Sequence, residues 1–155
     1  MVDVFYEDIK IGDTYKGEIG RTITDVDNIW FTLLTNNNNQ IHFNKDYTEK
    51  KYPGSPFNGR LVVNGMFTIA FVVGLAVEYT SKNGFMVGID SVKFKHPVFA
   101  GDTLYAKVEV VDKRESNSRK GFGIVKIKTI GINQNSQEVM EMIRTFMIPM
   151  AGSKW

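Results

Sequence analysis

At 155 residues the chain is long enough for one domain, able to bury about two thirds of the surface its unfolded form exposes. A formal net charge of +2 is too small for the basic stripe of a nucleic-acid-binding protein, and zero cysteines exclude disulfides, thiolate metal sites and a cysteine nucleophile together. The hydrophobic fraction of 43% and charged fraction of 23% are those of an ordinary globular protein, too apolar for disorder. The N-terminus, Met1-Val2-Asp3-Val4-Phe5-Tyr6-Glu7-Asp8, is acidic and lacks the basic-then-apolar order of a signal peptide, so with the missing cysteines the expected location is the cytoplasm.

In chain order, residues 14–24 read as a first strand and residues 25–34 as a short helix with Thr24 or Asp25 as its N-cap. An amide-rich loop follows, Thr35-Asn36-Asn37-Asn38-Asn39-Gln40-Ile41-His42-Phe43-Asn44, carrying one of the two histidines. Residues 61–77 are apolar on nearly every side of a helix, broken only by Asn64, Gly65, Thr68 and Gly74. Such a segment is too short for a bilayer needing about 20 residues, so it is expected as a central helix wrapped by other structure. The wrapping is supplied by residues 85–95, 104–112, 123–132 and 138–148, each with the alternation or β-branched enrichment of a strand. Between Leu104 and Val110 the even positions are apolar while Lys107 and Glu109 point the other way, so one face is buried and one is wet. Turn formers at 99–102, 115–120 and 133–136 join consecutive strands into an antiparallel sheet. The layout is α+β, a single domain over residues 1–150 with a sheet curled around one long apolar helix, and residues 151–155 read as a loose tail.

Three stretches carry a family resemblance over nearly the whole chain. The loop Asn37-Asn38-Asn39-Gln40-Ile41-His42, the turn Arg60-Leu61-Val62-Val63-Asn64-Gly65-Met66 and the corner Pro97-Val98-Phe99-Ala100-Gly101-Asp102-Thr103-Leu104 resemble the MaoC-like acyl dehydratases, the (R)-specific enoyl-CoA hydratase group. In that family a loop Asp-x-Asn-Pro-x-His precedes a glycine turn, commonly ending His-Gly-Met, into the helix of a hot-dog fold. Asn39 and His42 are kept here; Asn37 stands for the family's catalytic Asp, Gln40 for the loop proline and Asn64 for the turn histidine. The stretch Arg114-Glu115-Ser116-Asn117-Ser118-Arg119 with Gly123-Ile124-Val125 resembles one MaoC-like branch that often has Asn at the loop Asp position.

The resemblance implies an acyl-CoA or acyl-carrier thioester as partner, hydrated or dehydrated across its α,β double bond, with coenzyme A as part of the substrate and no separate cofactor. That reaction needs a base for water, an acid for the α-carbon and donors for the enolate oxygen. An amide takes no proton at neutral pH, so Asn37 either orients water or braces its loop, and His42 is the sole titrating group, at a cost of roughly 10² in rate if the carboxylate is uncompensated. Gly65, at a positive helix start, offers an amide to the thioester oxygen or is simply where no side chain fits. Asn64 either contacts substrate or caps the helix, and Asn39 is expected to hold the loop closed. Arg114, Arg119 and Lys120 in one turn are candidate phosphate ligands or a solvated charged loop, with Lys93 and Lys95 as weaker candidates. His96 reads as structural, and two histidines without His-x-x-x-His spacing argue against a metal site.

Two other functions compete. A hot-dog thioesterase wants a carboxylate near the start or middle of the central helix, where the first acid is Glu78 at its end. A non-catalytic thioester-binding protein would tolerate the loss of the loop Asp. Exposed strand edges in a fold of this type are expected to pair, making a homodimer the smallest assembly, without nucleic acid or membrane as partner.

Overall fold

The computed structural model describes residues 4–80 and 83–155; Met1 to Asp3 of the acidic N-terminal stretch, and Ser81 with Lys82, lie outside the described residues. Three helices, α1 (Asp25–Leu34), α2 (Lys45–Lys51) and α3 (Gly65–Thr80), accompany six strands: β1 (Thr14–Lys16), β2 (Arg21–Thr22), β3 (Phe85–Phe94), β4 (Thr103–Glu115), β5 (Phe122–Asn133) and β6 (Glu138–Pro149). The order is β1-β4-β5-β6-β3, with β2 also on β4, and every pairing is antiparallel.

The expected first strand over 14–24 is two short pieces. Lys16 pairs with Lys107 and Arg21 with Leu104, so five steps along one chain face three along the other; the Gly17 amide still donates to the Ala106 carbonyl at 2.9 Å, and the surplus at 18–20 loops out. The four later strands form where the alternation places them: β3 ends one residue early, while β4, β5 and β6 run one to three residues further at one or both ends. Helix α2 escaped the sequence reading because it has no apolar stripe: Asn44 caps it by accepting from the Tyr47 amide at 3.1 Å, Lys45–Glu49 and Asp46–Lys50 pair across its surface, and only Thr48 is buried.

Helix α3 packs on β4 and β5, where Val72 and Ala76 meet the inward rows Leu104, Ala106, Val108 and Val110. The sheet wraps it on one side. Met66, Ala70, Gly74 and Val77 remain exposed along one face, because the sheet curls over the other side and leaves β3 as a free edge with Phe85, Val87, Ile89 and Phe94 exposed. The last five residues, expected to be loose, make contacts of their own: the Trp155 indole donates to the Asn83 carbonyl at 2.8 Å and its ring lies 4.8 Å from that of Phe122. No helix among the described residues is long and apolar enough to cross a membrane, and no cluster of three His, Cys, Asp or Glu could hold a metal there.

Among the described residues one side chain that is charged at neutral pH is fully buried. Arg144 on β6 is fully buried, its Nε and one Nη reach only the Thr129 hydroxyl at 3.1 and 2.9 Å, and its other Nη has no partner. Burial lowers its pKa to about 10. A cation whose pKa is lower in the folded chain than in the unfolded one destabilises the fold while it is charged, by about 3 kcal/mol here, and this is relieved only above about pH 10. Arg144→Met with Thr129→Val, which removes both polar partners together, is expected to raise the melting temperature at pH 7 by about 5 °C, read by differential scanning calorimetry. An unchanged or lower melting temperature would show that burial of the guanidinium does not cost the fold stability.

Candidate active site

Helix α1 sets up the site. The Thr24 hydroxyl accepts from the Asp27 amide at 3.2 Å while the Asp27 carboxylate accepts from the Thr24 amide at 2.9 Å, a reciprocal cap that holds the Asp27 carboxyl below the usual carboxylate range. The helix then turns Asn28 and Thr32 inward, one turn apart, and leaves Val26, Trp30, Leu33 and Leu34 exposed. Its buried face is therefore the polar one.

Asn28, 1% exposed, uses all the donors and acceptors within reach. Its Nδ2 donates to the carbonyls of His42 at 2.9 Å and Val62 at 3.2 Å, and its Oδ1 accepts from the Asn64 amide at 2.8 Å. One side chain thus ties together the histidine loop, the strand-like segment before α3 and the start of α3. Sequence reasoning missed it; the available signal was a pair of polar residues at i and i+4 in a helix whose other face is apolar.

The amide-rich loop closes on itself. Asn37 Oδ1 accepts from the Asn39 amide at 3.0 Å, Asn39 Oδ1 caps a 3-10 turn over Gln40–His42, and the Gln40 side chain accepts from Asn44 Nδ2 at 2.6 Å. That turn drops His42 into the protein, 8% exposed, with its Nδ1 2.8 Å from the Val62 carbonyl. A carbonyl only accepts, so Nδ1 carries the hydrogen and the neutral ring keeps its lone pair on Nε2.

Asn64 begins α3, its Oδ1 accepting from the Met66 amide at 3.0 Å and its carbonyl from the Thr68 amide at 2.9 Å; its Nδ2 goes to Thr32 at 3.3 Å. It is the cap of the helix, buried away from solvent. A Cβ at Gly65 would lie 2.9 Å from the tip of the Phe94 ring, so a side chain there would push that exposed ring aside. No hydrogen bond to the Gly65 amide is found among the described residues.

His42 and Gly65 line one cleft of about 320 Å³, together with Thr68, Phe94, Lys95 and His96. The other sequence candidates fall elsewhere. Asn37 and Asn39 lie on the loop outside the cleft lining. Arg114, Arg119 and Lys120 sit at the other end of α3: they flank the β4–β5 turn, where Phe122 pairs with Pro149, whereas Phe94, packed on Gly65, pairs with Met140. Sixteen helical residues, about 24 Å, separate the two ends within one chain. The Arg119 guanidinium lies over the Phe122 ring at 4.0 Å and Arg114 donates to the Glu115 carbonyl at 3.1 Å. Lys95 is at the cleft, but Glu138 and Glu141 hold it at 2.5 and 2.7 Å; the hydrogen bonds it donates to these carboxylates raise its pKa, that to Glu138 first.

A MaoC like domain model matches residues 8–131. The chain belongs to the MaoC-like family. It is 31% identical over 148 residues to a mesaconyl-CoA hydratase from Haloarcula marismortui, covering 94% of this chain and 40% of that protein. It is also 31% identical over 106 residues to an (R)-specific enoyl-CoA hydratase from Rhodospirillum rubrum, covering 68% and 69%. The chain thus spans well under half the length of the mesaconyl-CoA hydratases it matches. A Mycobacterium tuberculosis protein with a double hotdog fold superposes with a TM-score of 0.82 at 15% identity, over 99% of this chain and 46% of that one. The MaoC-like chain is a hot-dog fold of the α+β class.

Proposed function

We propose that this MaoC-like chain adds water to, or removes it from, the α,β double bond of an acyl-CoA or acyl-carrier thioester. The observation that carries this is the convergence of His42 and Gly65 on one cleft, with Nδ1 of the imidazole committed to Val62. Nε2 takes a proton from water as the water oxygen bonds to the β-carbon, and the displaced electron pair moves to the thioester oxygen, where the Gly65 amide and the positive end of α3 receive it. The resulting imidazolium delivers a proton to the α-carbon as the enolate collapses; dehydration is the reverse. In this reading Asn37 and Asn39 hold the loop, and Asn64 caps α3.

The names of the relatives, hydratases of CoA thioesters, support the class. The thioesterase alternative loses ground because Glu78 lines a different cavity, beside Asp8, Asp13 and Tyr79 at the far end of α3. The binding-only alternative has one observation in its favour: among the described residues no carboxylate lines the His42 cleft. A panel of short, branched and long enoyl-CoA substrates, starting with crotonyl-CoA, separates the three by loss of the conjugated thioester absorbance. Hydration of any member is the expected result; thiol release identifies a thioesterase, and binding without turnover a binding module.

The active form is proposed to be a homodimer in which β3 edges pair and a second copy covers the exposed stripe of α3, removing both the unpaired edge and the apolar face. Sedimentation equilibrium is expected to give twice the 17.6 kDa of the chain, and the double substitution Val87→Lys with Ile89→Lys to return it to one copy. A wild-type protein sedimenting as one copy would refute the pairing.

A further inference from the structure

His96 stands at the same cleft as His42, and its ring is held in the same way. Its Nδ1 lies 2.9 Å from the Glu138 carbonyl, which only accepts, so Nδ1 carries the hydrogen and Nε2 is the nitrogen left for the cleft. The main chain around it is fixed: the amides of Lys95 and His96 both donate to the Val139 carbonyl, at 2.9 and 3.3 Å, and Pro97 follows. Two imidazoles, one on the loop after α1 and one just past the end of β3, therefore line one cleft, each with Nδ1 committed to a carbonyl and Nε2 outside that bond. Of the titratable side chains lining it, Lys95 is taken up by Glu138 and Glu141, and Glu141 also faces Lys128 at 3.6 Å; Lys93 lies exposed on β3, and α3 contributes only the uncharged Gly65 and Thr68. His42 and His96 are the two groups free to exchange protons there.

We infer that His96 is the second proton-transfer residue of this cleft, supplying the group that Asn37 cannot, and that the pair divides the work of hydration. The inference rests on the hydration reading above. His42 Nε2 takes the proton of the attacking water; the enolate oxygen is received at Gly65; His96 Nε2–H gives its proton to the α-carbon. The water oxygen and two protons end on substrate and His42, and solvent carries one proton from His42 back to His96. The assignment follows from exposure: His42 is nearly enclosed, whereas His96 is open to water and can be reprotonated between turnovers.

The test is the pH profile of kcat/KM with an enoyl-CoA that wild type hydrates, measured for His96→Asn and His96→Gln. Asparagine keeps a donor for the Glu138 carbonyl but lacks anything at the Nε2 position, while glutamine reaches that position without titrating. A proton donor that must be charged gives wild type an alkaline limb; both variants are expected to lose it and to fall about 10²-fold in kcat, with melting temperatures unchanged. If asparagine restores wild-type turnover and both limbs, His96 only braces the β3 corner and the inference fails while hydration stands. If wild type hydrates no member of the panel, the hydration reading fails and takes the inference with it.

Discussion

His42→Asn is expected to lower enoyl-CoA turnover by about 10²- to 10⁴-fold while leaving the fold nearly as stable as wild type. The reason is the division of labour between the two ring nitrogens. The Nδ1–H holds the ring to the Val62 carbonyl at 2.8 Å, and an asparagine Nδ2–H can make that same bond from the same Cβ. What asparagine lacks is the second nitrogen, the atom that takes the proton. The loss should therefore appear in kcat, with KM moved little, since the substitution leaves the Gly65 amide and the apolar wall at Phe94, the thioester contacts of the proposed reaction, in place. His42→Ala makes a useful contrast: it removes the Val62 bond as well and opens a gap beneath the loop, so turnover and melting temperature fall together. A His42→Asn protein within tenfold of wild-type kcat would remove the imidazole from the chemistry.

The sequence carried the parts of this molecule that repeat with a period. The alternation of Leu104, Ala106, Val108 and Val110 against Lys107 and Glu109 places those four residues in the core, all 1% exposed or less. The run after Gly65 makes the central helix, and Thr24 caps α1. Where period and role part company, reading failed. The buried face of α1 is Asn28 and Thr32 while Trp30 and Leu34 face out, the reverse of an ordinary amphipathic helix, so the polar pair at i and i+4 reads as a solvent face and only the fold shows Asn28 as the brace of the site. Helix α2 is held by a cap and surface pairs, signals weaker than an apolar stripe. The loop and turn that carry the family resemblance hold His42 and Gly65, which line one cleft, whereas Arg114, Arg119 and Lys120, candidate phosphate ligands or a solvated charged loop, are put by the strand register at the far end of α3. His96 came to the cleft through pairing of β3 with β6, a contact 42 residues apart in the chain and invisible to local pattern.

Asn28→Asp is the substitution that most sharply tests whether one buried amide organises the site. The change is isosteric, so packing is kept. One oxygen can still accept from the Asn64 amide at 2.8 Å, but the other replaces a donor and faces the carbonyl oxygens of His42 and Val62 from the positions now 2.9 and 3.2 Å apart. At neutral pH this sets a carboxylate against two acceptors in a site shielded from water, a loss of about 2–4 kcal/mol, large against the stability of a domain this size. The sign of the pH dependence follows. Burial and facing carbonyls favour the protonated acid, raising the folded pKa of the introduced carboxyl above its unfolded value, so the folded chain binds the proton more tightly and stability falls as pH rises through that window. The deficit against wild type should therefore be largest at pH 7 and shrink toward pH 4, where a protonated acid donates to one of the two carbonyls. Guanidinium denaturation at both pH values measures it. Turnover at pH 7 should fall as well, because the same two carbonyls fix the backbone of His42 and the partner of its Nδ1. A variant as stable as wild type at pH 7, with turnover intact, would mean that the loop and the start of α3 are held together by something other than Asn28.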